Sequence, residues 1–583
     1  MTLDPASLLV LSIVVPLMGV LLAFAAGGRH VERIALATMP LGLAIALAIL
    51  VALRQSGAPL VYLLGGWAPP LGVALRADGL SAVMMAVTAV VVCAIGVFAR
   101  ADFRTPAGSS ETRAPFAFWI LLLAVWGALN TVVLGGDLFT LYVALELLTF
   151  AAVPLVCLDG RAETVRAALR YLLFALLGSV LYLAGTVLLY GTYGTLDIVL
   201  LSERIGPTSA TLVAAALMTV GLLAKTALVP LHLWLPPAHA GAPPAGSAML
   251  SALVVKGSFF IVVRLWFDVM PALPSFTAAQ LLTALGAAAI VLGSIVALRQ
   301  ERLKLLIAYS TLAQIGYLFL MFALAFDPGS ARLVSGGALA GGMLQAMSHA
   351  TAKAAMFMVA GLIYAAFGHD RVTGLAGIGR AMPVSVIAFA VAGLALIGVP
   401  PSGAYLAKDL LLGAAAETGQ WWWVAVIQAG GILTSGYVVL VLAHALAPAD
   451  EPVTPRAVVT RAAEAAALVL ALCSMLLGLI PWSSYLPAVT ASSVPALATL
   501  SSALWLILGG AALAILLGQW GGVLARLPAG KLLGASIGPI RIVALAIGRA
   551  IERLDAMLRQ WPVAGISLVL LTILFGVAMV AVR

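Results

Sequence analysis

Residues 208–231 read TSATLVAAALMTVGLLAKTALVPL, an apolar run with one ionisable side chain, Lys225, about seventeen residues in, and a proline, Pro230, five residues beyond it. A bilayer core about 30 Å thick takes about 20 helical residues, so the run is long enough to cross. A lysine inside it costs at least about 2.5–3.5 kcal/mol on insertion scales. A residue that expensive marks an ion or proton path, unless it snorkels to the interface from near a helix end. The proline removes a backbone donor and interrupts the helix close to the lysine. The stretch therefore reads as membrane-spanning, broken, and charged inside.

The rest of the chain agrees in composition. Of 583 residues, 63% are hydrophobic and 9% charged, where a soluble protein carries about 25% charged residues. The fold class is an all-α polytopic membrane protein of about 14–16 transmembrane helices. Candidate spans fall at about 6–26, 35–53, 79–99, 116–134, 138–157, 171–190, 208–231, 246–268, 277–298, 305–326, 334–366, 383–413, 421–447, 462–480, 494–518 and 563–582. The eleventh and twelfth are too long for one straight crossing. The first has no basic region before it and reads as an uncleaved span.

Charge placement orients the spans. Loops after odd-numbered spans hold 21 Lys and Arg, and loops after even-numbered spans together with the C-terminus hold 5. By the positive-inside rule the odd loops are cytoplasmic and both termini face outward, as in a bacterial-type inner membrane. The net charge of +9 is thus an orientation signal, and no nucleic-acid partner is expected. Cys93, Cys157 and Cys473 stand far apart in apolar runs, and no zinc, acyl-transfer or phosphate-binding motif is present, so no metal site and no bound cofactor is expected.

Five basic residues remain inside spans: Lys225, Lys256, Arg264, Lys353 and Lys408, four of them drawn from only six lysines in the chain. Glu146 is the one acid at mid-span. Within about 5 Å of a lysine, at an effective dielectric near 20, it would gain roughly 3 kcal/mol of attraction. Separating the pair would then drive a proton off the lysine, which arginine could not release. His349 and Lys353, four residues apart, share a helix face, and a histidine among lysines can pass a proton. His232, His239 and Asp409 are further candidates for proton uptake or coupling. Arg264, near the end of its span, reads equally as a snorkelling side chain.

The twelfth span repeats the pattern of the seventh: Gly398-Val-Pro-Pro401 precedes Lys408. Two broken spans five apart must run in opposite directions, the arrangement of inverted-repeat transporters with a site beside each break. Spans 4–8 and 9–13 are then two inverted five-helix units. The organisation expected is residues 1–115 for three N-terminal helices, 116–268 and 277–447 for the two units, and 448–583 for C-terminal helices with an amphipathic cytoplasmic segment at about 523–560.

From about Val132 to Leu412 the sequence resembles the antiporter-like subunits shared by complex I, Mrp-type cation/proton antiporters and membrane-bound hydrogenases. The resemblance rests on Asp137-Leu-Phe-Thr-Leu-Tyr-Val-Ala-Leu-Glu146, Ala224-Lys-Thr-Ala-Leu-Val-Pro-Leu-His-Leu-Trp-Leu-Pro236, Leu303-Lys-Leu-Leu-Ile-Ala-Tyr-Ser-Thr311, His349-Ala-Thr-Ala-Lys-Ala-Ala-Met-Phe357 and Gly398-Val-Pro-Pro-Ser-Gly-Ala-Tyr-Leu-Ala-Lys408. It implies a proton channel with Glu146 and Lys225 as the first half-channel pair, Lys256, His349 and Lys353 as a central polar axis, and Lys408 in the second half-channel. The chain departs from the family at Gly403-Ala404, where Gly-Phe is frequent, and at Pro243-Pro-Ala-Gly-Ser247; neither change removes an ionisable residue. Lys408 argues against the complex I subtype that has glutamate there. The function implied is a proton-translocating subunit of a multi-subunit complex, most like an Mrp-type Na+/H+ antiporter subunit, with other membrane subunits, protons and Na+ as partners. The alternatives are the proton-pumping arm of a complex I-like or hydrogenase complex, and the energising subunit of an inorganic-carbon uptake complex.

Overall fold

The computed structural model describes residues 4–106, 111–327, 329–449, 453–486, 497–517 and 530–580. Among them, fourteen helices are long and apolar enough to cross a bilayer: Ser7–Ala26, His30–Ser56, Gly79–Ala99, Arg113–Leu134, Leu138–Val156, Ala162–Tyr193, Ser209–Thr226, Pro244–Val269, Phe276–Leu298, Leu303–Leu324, Gly337–Phe367, Trp421–Leu446, Arg461–Leu479 and Trp561–Val580. The twelfth expected span is two helices, Pro383–Ile397 and Gly403–Glu417. The fifteenth is the helix Leu497–Leu517. Both termini, at residues 1–3 and 581–583, and residues 523–529 of the expected amphipathic segment lie outside the described residues.

Hydrocarbon offers no partner for free backbone groups, so helix ends within or near it must be capped by the protein. Asp78 and Asp137 accept backbone N–H bonds at the starts of the third and fifth spans. Thr208 and Thr211 form a capping box at the start of the seventh, and Ser275 and Ser402 cap the ninth span and the second half of the twelfth. Short antiparallel hairpins, Leu60–Leu63 with Ala74–Ala77 and Phe326–Asp327 with Arg332–Leu333, occupy two of the connections.

The long eleventh span and the broken seventh and twelfth take these forms. The eleventh is one unbroken helix of 31 residues, about 46 Å long at about 1.5 Å per residue. It contains no proline to interrupt it and is longer than the about 30 Å of a bilayer core. The seventh breaks earlier than its proline. A proline ring clashes with the carbonyl four residues before it; the helix accordingly ends at Thr226, and Ala227 turns into the left-handed region at φ 59°. The chain then crosses a non-helical stretch to a short helix, Leu235–Gly241. In the twelfth, Gly398 leaves the helix at φ 93°. Lys225 thus ends the half-helix before its break, whereas Lys408 lies in the half-helix after its own.

The connections collect on two faces, as alternate crossings require. On one, loops after odd-numbered spans meet: Arg302 with Asp370 at 3.1 Å, Gly377 N–H with the Ala447 carbonyl at 2.8 Å, and Gly28 N–H with Glu111 at 3.1 Å. On the other, even-numbered ones meet: Leu138 with Leu196 at 3.0 Å, Gly136 with Ala74 at 3.0 Å, and Leu333 with Pro271 at 3.1 Å. The helix Gly530–Leu558 lies on the odd-loop face, fastened by Glu552 to Arg299 at 2.8 Å. Its Ile540, Ile542, Val543, Ile547 and Leu554 are exposed, the pattern of a helix lying in a membrane interface.

Candidate functional site

Because the seventh helix stops at Thr226, Lys225 occupies its last turn, facing the middle of the fifth span. Its Nζ donates to Glu146 Oε1 at 3.1 Å, Thr149 Oγ1 at 2.9 Å and the Leu145 carbonyl at 3.4 Å. Ser179 of the sixth span donates its hydroxyl to the same Glu146 Oε1. The side chains of Lys225 and Glu146 are 5% and 15% exposed, so the ion pair is shielded from solvent and its attraction is little screened.

Close helix approach makes this geometry possible. A Cβ on Gly178 would stand 2.5 Å from the Gly221 carbonyl and 3.3 Å from Lys225 Cγ, and one on Gly221 would overlap the Gly178 carbonyl. This is the small-residue packing of membrane helices. Gly178→Ala is therefore expected to push the sixth and seventh spans apart, costing about 1–3 kcal/mol and moving Ser179 and Lys225 off Glu146. Thermal unfolding of the purified protein in detergent measures it. Gly191→Ala on the same sixth span, where nothing lies within 4 Å, is the control expected to be silent; equal melting of the two variants would refute the packing argument.

Next to this pair Thr226 bonds Ser258 of the eighth span at 2.9 Å, and further buried polar groups follow through the bundle. Lys256 is 1% exposed and donates to the Ser251 carbonyl, within reach where a π-helical turn, Leu250–Val254, loosens the regular bonding pattern. Ser251 in turn meets Thr311 at 2.8 Å. His349 is fully buried; its electrostatic neighbours are Lys256, Lys353 and His239, and neither ring nitrogen has a hydrogen-bond partner among the described residues. Lys353 donates to Ser310 Oγ at 2.5 Å and lies 5.6 Å from the centre of the Tyr437 ring. Tyr437 accepts from Gln314, which also receives a bond from Gln345. Lys408 closes the line, donating to the carbonyls of Ile397 at 2.8 Å and Leu396 at 3.5 Å over the Tyr317 ring at 5.0 Å. These carbonyls are the unpaired last turn of a half-helix, the negative end of its dipole, so Lys408 is held without a carboxylate.

The remaining candidates separate. Asp409 adjoins Lys408 in sequence but is exposed on another side of its helix, since successive residues are turned by about 100°. His239 is buried, with Nδ1 2.9 Å from the Leu235 carbonyl. His232, in the seventh-span break, has Nε2 2.9 Å from Asp555 Oδ1. Arg264 grips Asp78 with two bonds of 2.5 and 2.6 Å and Asp268 with one of 2.6 Å, clamping the third span to the eighth. Burial alone would raise the Asp78 carboxyl, but the Arg264 guanidinium holds it down to about 2. Among the described residues no cluster of three His, Cys, Asp or Glu could hold a metal.

The transmembrane family described as NADH:quinone oxidoreductase/Mrp antiporter matches residues 135–434. The chain belongs to this family. Members similar to it include an NADH-quinone oxidoreductase subunit of Desulforudis audaxviator, 35% identical over 436 residues, 71% of this chain and 84% of that protein. A Na(+)/H(+) antiporter subunit of Alkalihalophilus pseudofirmus is 28% identical over 433 residues, covering 73% and 84%. Among solved structures, the Mrp complex from Dietzia sp. DQ12-45-1b contains a chain of the same fold, with a TM-score of 0.71 at 26% identity over 89% of this chain and 98% of that one. The ionisable residues of the buried line, from Glu146 to Lys408, lie within the residues matched to the NADH:quinone oxidoreductase/Mrp antiporter family, and Tyr437 and Asp555 lie outside them.

Several groups in the line carried no distinct mark in the sequence: Thr149, Ser179, Ser251, Ser310, Gln314 and Tyr437. Thr149 had the clearest signal, three residues after Glu146 and so on its helix face.

Proposed function

We propose that this chain is a proton-translocating membrane subunit of a multi-subunit ion-transport complex, most like an Mrp-type Na+/H+ antiporter subunit. The observation that carries the reading is the Glu146–Lys225 ion pair, held at 3.1 Å beside a helix break. A pair closed by one helix end can be opened by a small shift of that end, and a buried lysine freed from its carboxylate can give up its proton. Lys256, His349, Lys353 and Lys408 then supply titratable groups along the membrane midplane, where transporter sites lie. Spans 4–8 and 9–13 are proposed to be inverted units. Support comes from each containing one proline-broken helix beside a buried lysine, and from the opposite directions of the two breaks. The odd-loop face carries most of the Lys and Arg, which supports placing it in the cytoplasm of a bacterial-type inner membrane with both termini outside.

The similarity to a subunit of an NADH-quinone oxidoreductase favours a second reading, a proton-pumping arm driven by a redox partner. Purification of the intact complex in mild detergent distinguishes them. Other small membrane subunits, with Na+-dependent proton movement in reconstituted vesicles, are expected. Flavin and iron-sulfur subunits would replace the antiporter reading with the redox one, and a chain that purifies alone would refute the subunit reading.

A further inference from the structure

His232 is fully buried in the break of the seventh span, seven residues beyond Lys225. Its two ring nitrogens meet different surroundings. Nε2 lies 2.9 Å from Asp555 Oδ1, whereas Nδ1 is buried without a hydrogen-bond partner among the described residues. Asp555 comes from the amphipathic helix Gly530–Leu558. The Tyr309 hydroxyl donates to its other oxygen at 2.7 Å, and Arg559 donates there at 2.8 Å. A cavity of about 390 Å³ on the odd-loop face reaches this carboxylate, lined by Pro236, Tyr309, Glu552, Asp555 and Arg559 among others. Burial disfavours the charged Asp555, but the bond to His232 and the Arg559 guanidinium hold its carboxyl below the usual range.

We propose that Asp555 and His232 form the inlet by which protons from the odd-loop face reach the buried lysine line, which makes the amphipathic helix a working part of the path. The inference rests on the proton-translocation reading above. A fastening needs no titratable pair, and the helix is already fastened by a separate ion pair, Glu552 with Arg299. A buried imidazole with one nitrogen on a carboxylate and the other unpartnered is suited to relaying, because it can gain a proton at one nitrogen while losing one from the other. The resting Nε2–H donates to the Asp555 anion, so the relay starts when exchange with water moves that proton to Nδ1; a proton taken from the cavity by the Asp555 carboxylate then passes to the bare Nε2, the O–H bond breaking as the N–H bond forms. The Nδ1–H proton leaves inward, through water, to the neutral amine of Lys225, and the ring stays neutral. The groups facing Asp555 are His232 from the seventh-span break, Tyr309 from the tenth span, and Arg559 and Glu552 along its own helix. Arg559 and His232 favour its anion; Glu552, paired with Arg299, opposes it weakly.

The test measures proton movement by the whole complex in vesicles between about pH 6 and 9, for wild type and for Asp555→Asn, Asp555→Glu, His232→Gln and Arg299→Gln. If proton delivery fails, Asp555→Asn and His232→Gln lose about tenfold or more of the rate, about 1.4 kcal/mol in barrier. The loss should be steepest at high pH, where protons are scarce. Asp555→Glu should recover most of the rate, and Arg299→Gln, which only frees Glu552 to oppose the Asp555 anion a little more, should keep most of the rate with a small upward shift of its pH profile. Wild-type rates for Asp555→Asn across the pH range would overturn the inlet alone. A loss in Arg299→Gln equal to that in Asp555→Asn, with the same profile, would reduce the contact to a fastening. No proton movement by the wild-type complex would overturn the functional reading itself.

Discussion

Lys225→Ala is expected to abolish proton-coupled transport while leaving the complex assembled. The side chain is the only cation on Glu146 among the described ion pairs, and its ammonium also holds Thr149 and the Leu145 carbonyl. Its removal leaves the Glu146 carboxylate with Ser179 as its remaining hydrogen-bond donor. Removing one partner of a buried pair typically costs about 3–5 kcal/mol, a local penalty for a bundle this size, so the protein should still insert and co-purify with its partners. The chemical loss is larger, because no proton can pass a position that has no base. Glu146→Ala should lose transport to the same degree, by the loss of the group that sets when Lys225 releases its proton. The double variant should be no worse than either single one, since two residues that act as a unit fail together. Proton flux in vesicles, read by a fluorescent pH indicator, with assembly checked by size on a column, measures all three. Wild-type flux in both single variants would end the pair mechanism.

The membrane architecture was legible because bilayer physics leaves few options: apolar length sets the spans, and basic loops set their parity. Lys225, Lys256, Lys353 and Lys408 were legible for the same reason, as violations of a costly rule. The details that failed were those set by neighbours. Pro230 marked a break, but the clash acts four residues upstream, so the helix ended at Thr226. Asp409 was a coupling candidate next to Lys408 in sequence, yet helical rotation turns it outward. Thr149 and Thr226 each bond the carbonyl four residues back, as Ser and Thr do throughout membrane helices, and Ser179 has the Ala175 carbonyl within the same reach, 3.1 Å away. From sequence, those that also solvate an ion pair look the same as those that do not. Asp555 was hidden by distance, 323 residues from His232, on a segment whose sequence pattern says only that it is amphipathic. Arg264 could be read two ways until the fold brought Asp78 to it.

Lys408→Arg is expected to fail although it keeps the charge. The ammonium sits in a narrow cradle: it donates to the Ile397 and Leu396 carbonyls, and a Cβ on Gly398 would come within 3.2 Å of Lys408 Cδ. An arginine there brings five N–H donors in a rigid plane to a helix end that offers these two carbonyls, over the ring of Tyr317. Beyond fit, arginine holds its proton at any pH the protein meets. If Lys408 must lose and regain a proton in each cycle, the arginine variant is blocked at that step, and transport should drop about a hundredfold or more, about 2.7 kcal/mol in barrier. Fit and titration are separated by Lys408→His, which is smaller than arginine and can release a proton near neutral pH. Histidine should support more transport than arginine, with the gain largest near its own titration range. If the lysine were only a fixed charge answering the dipole of the half-helix before it, the order would reverse, with arginine active and histidine failing as the pH rises and its charge is lost. Proton flux at pH 6 and pH 9 for the two variants decides between them, and full activity of the arginine variant would make Lys408 a fixed charge.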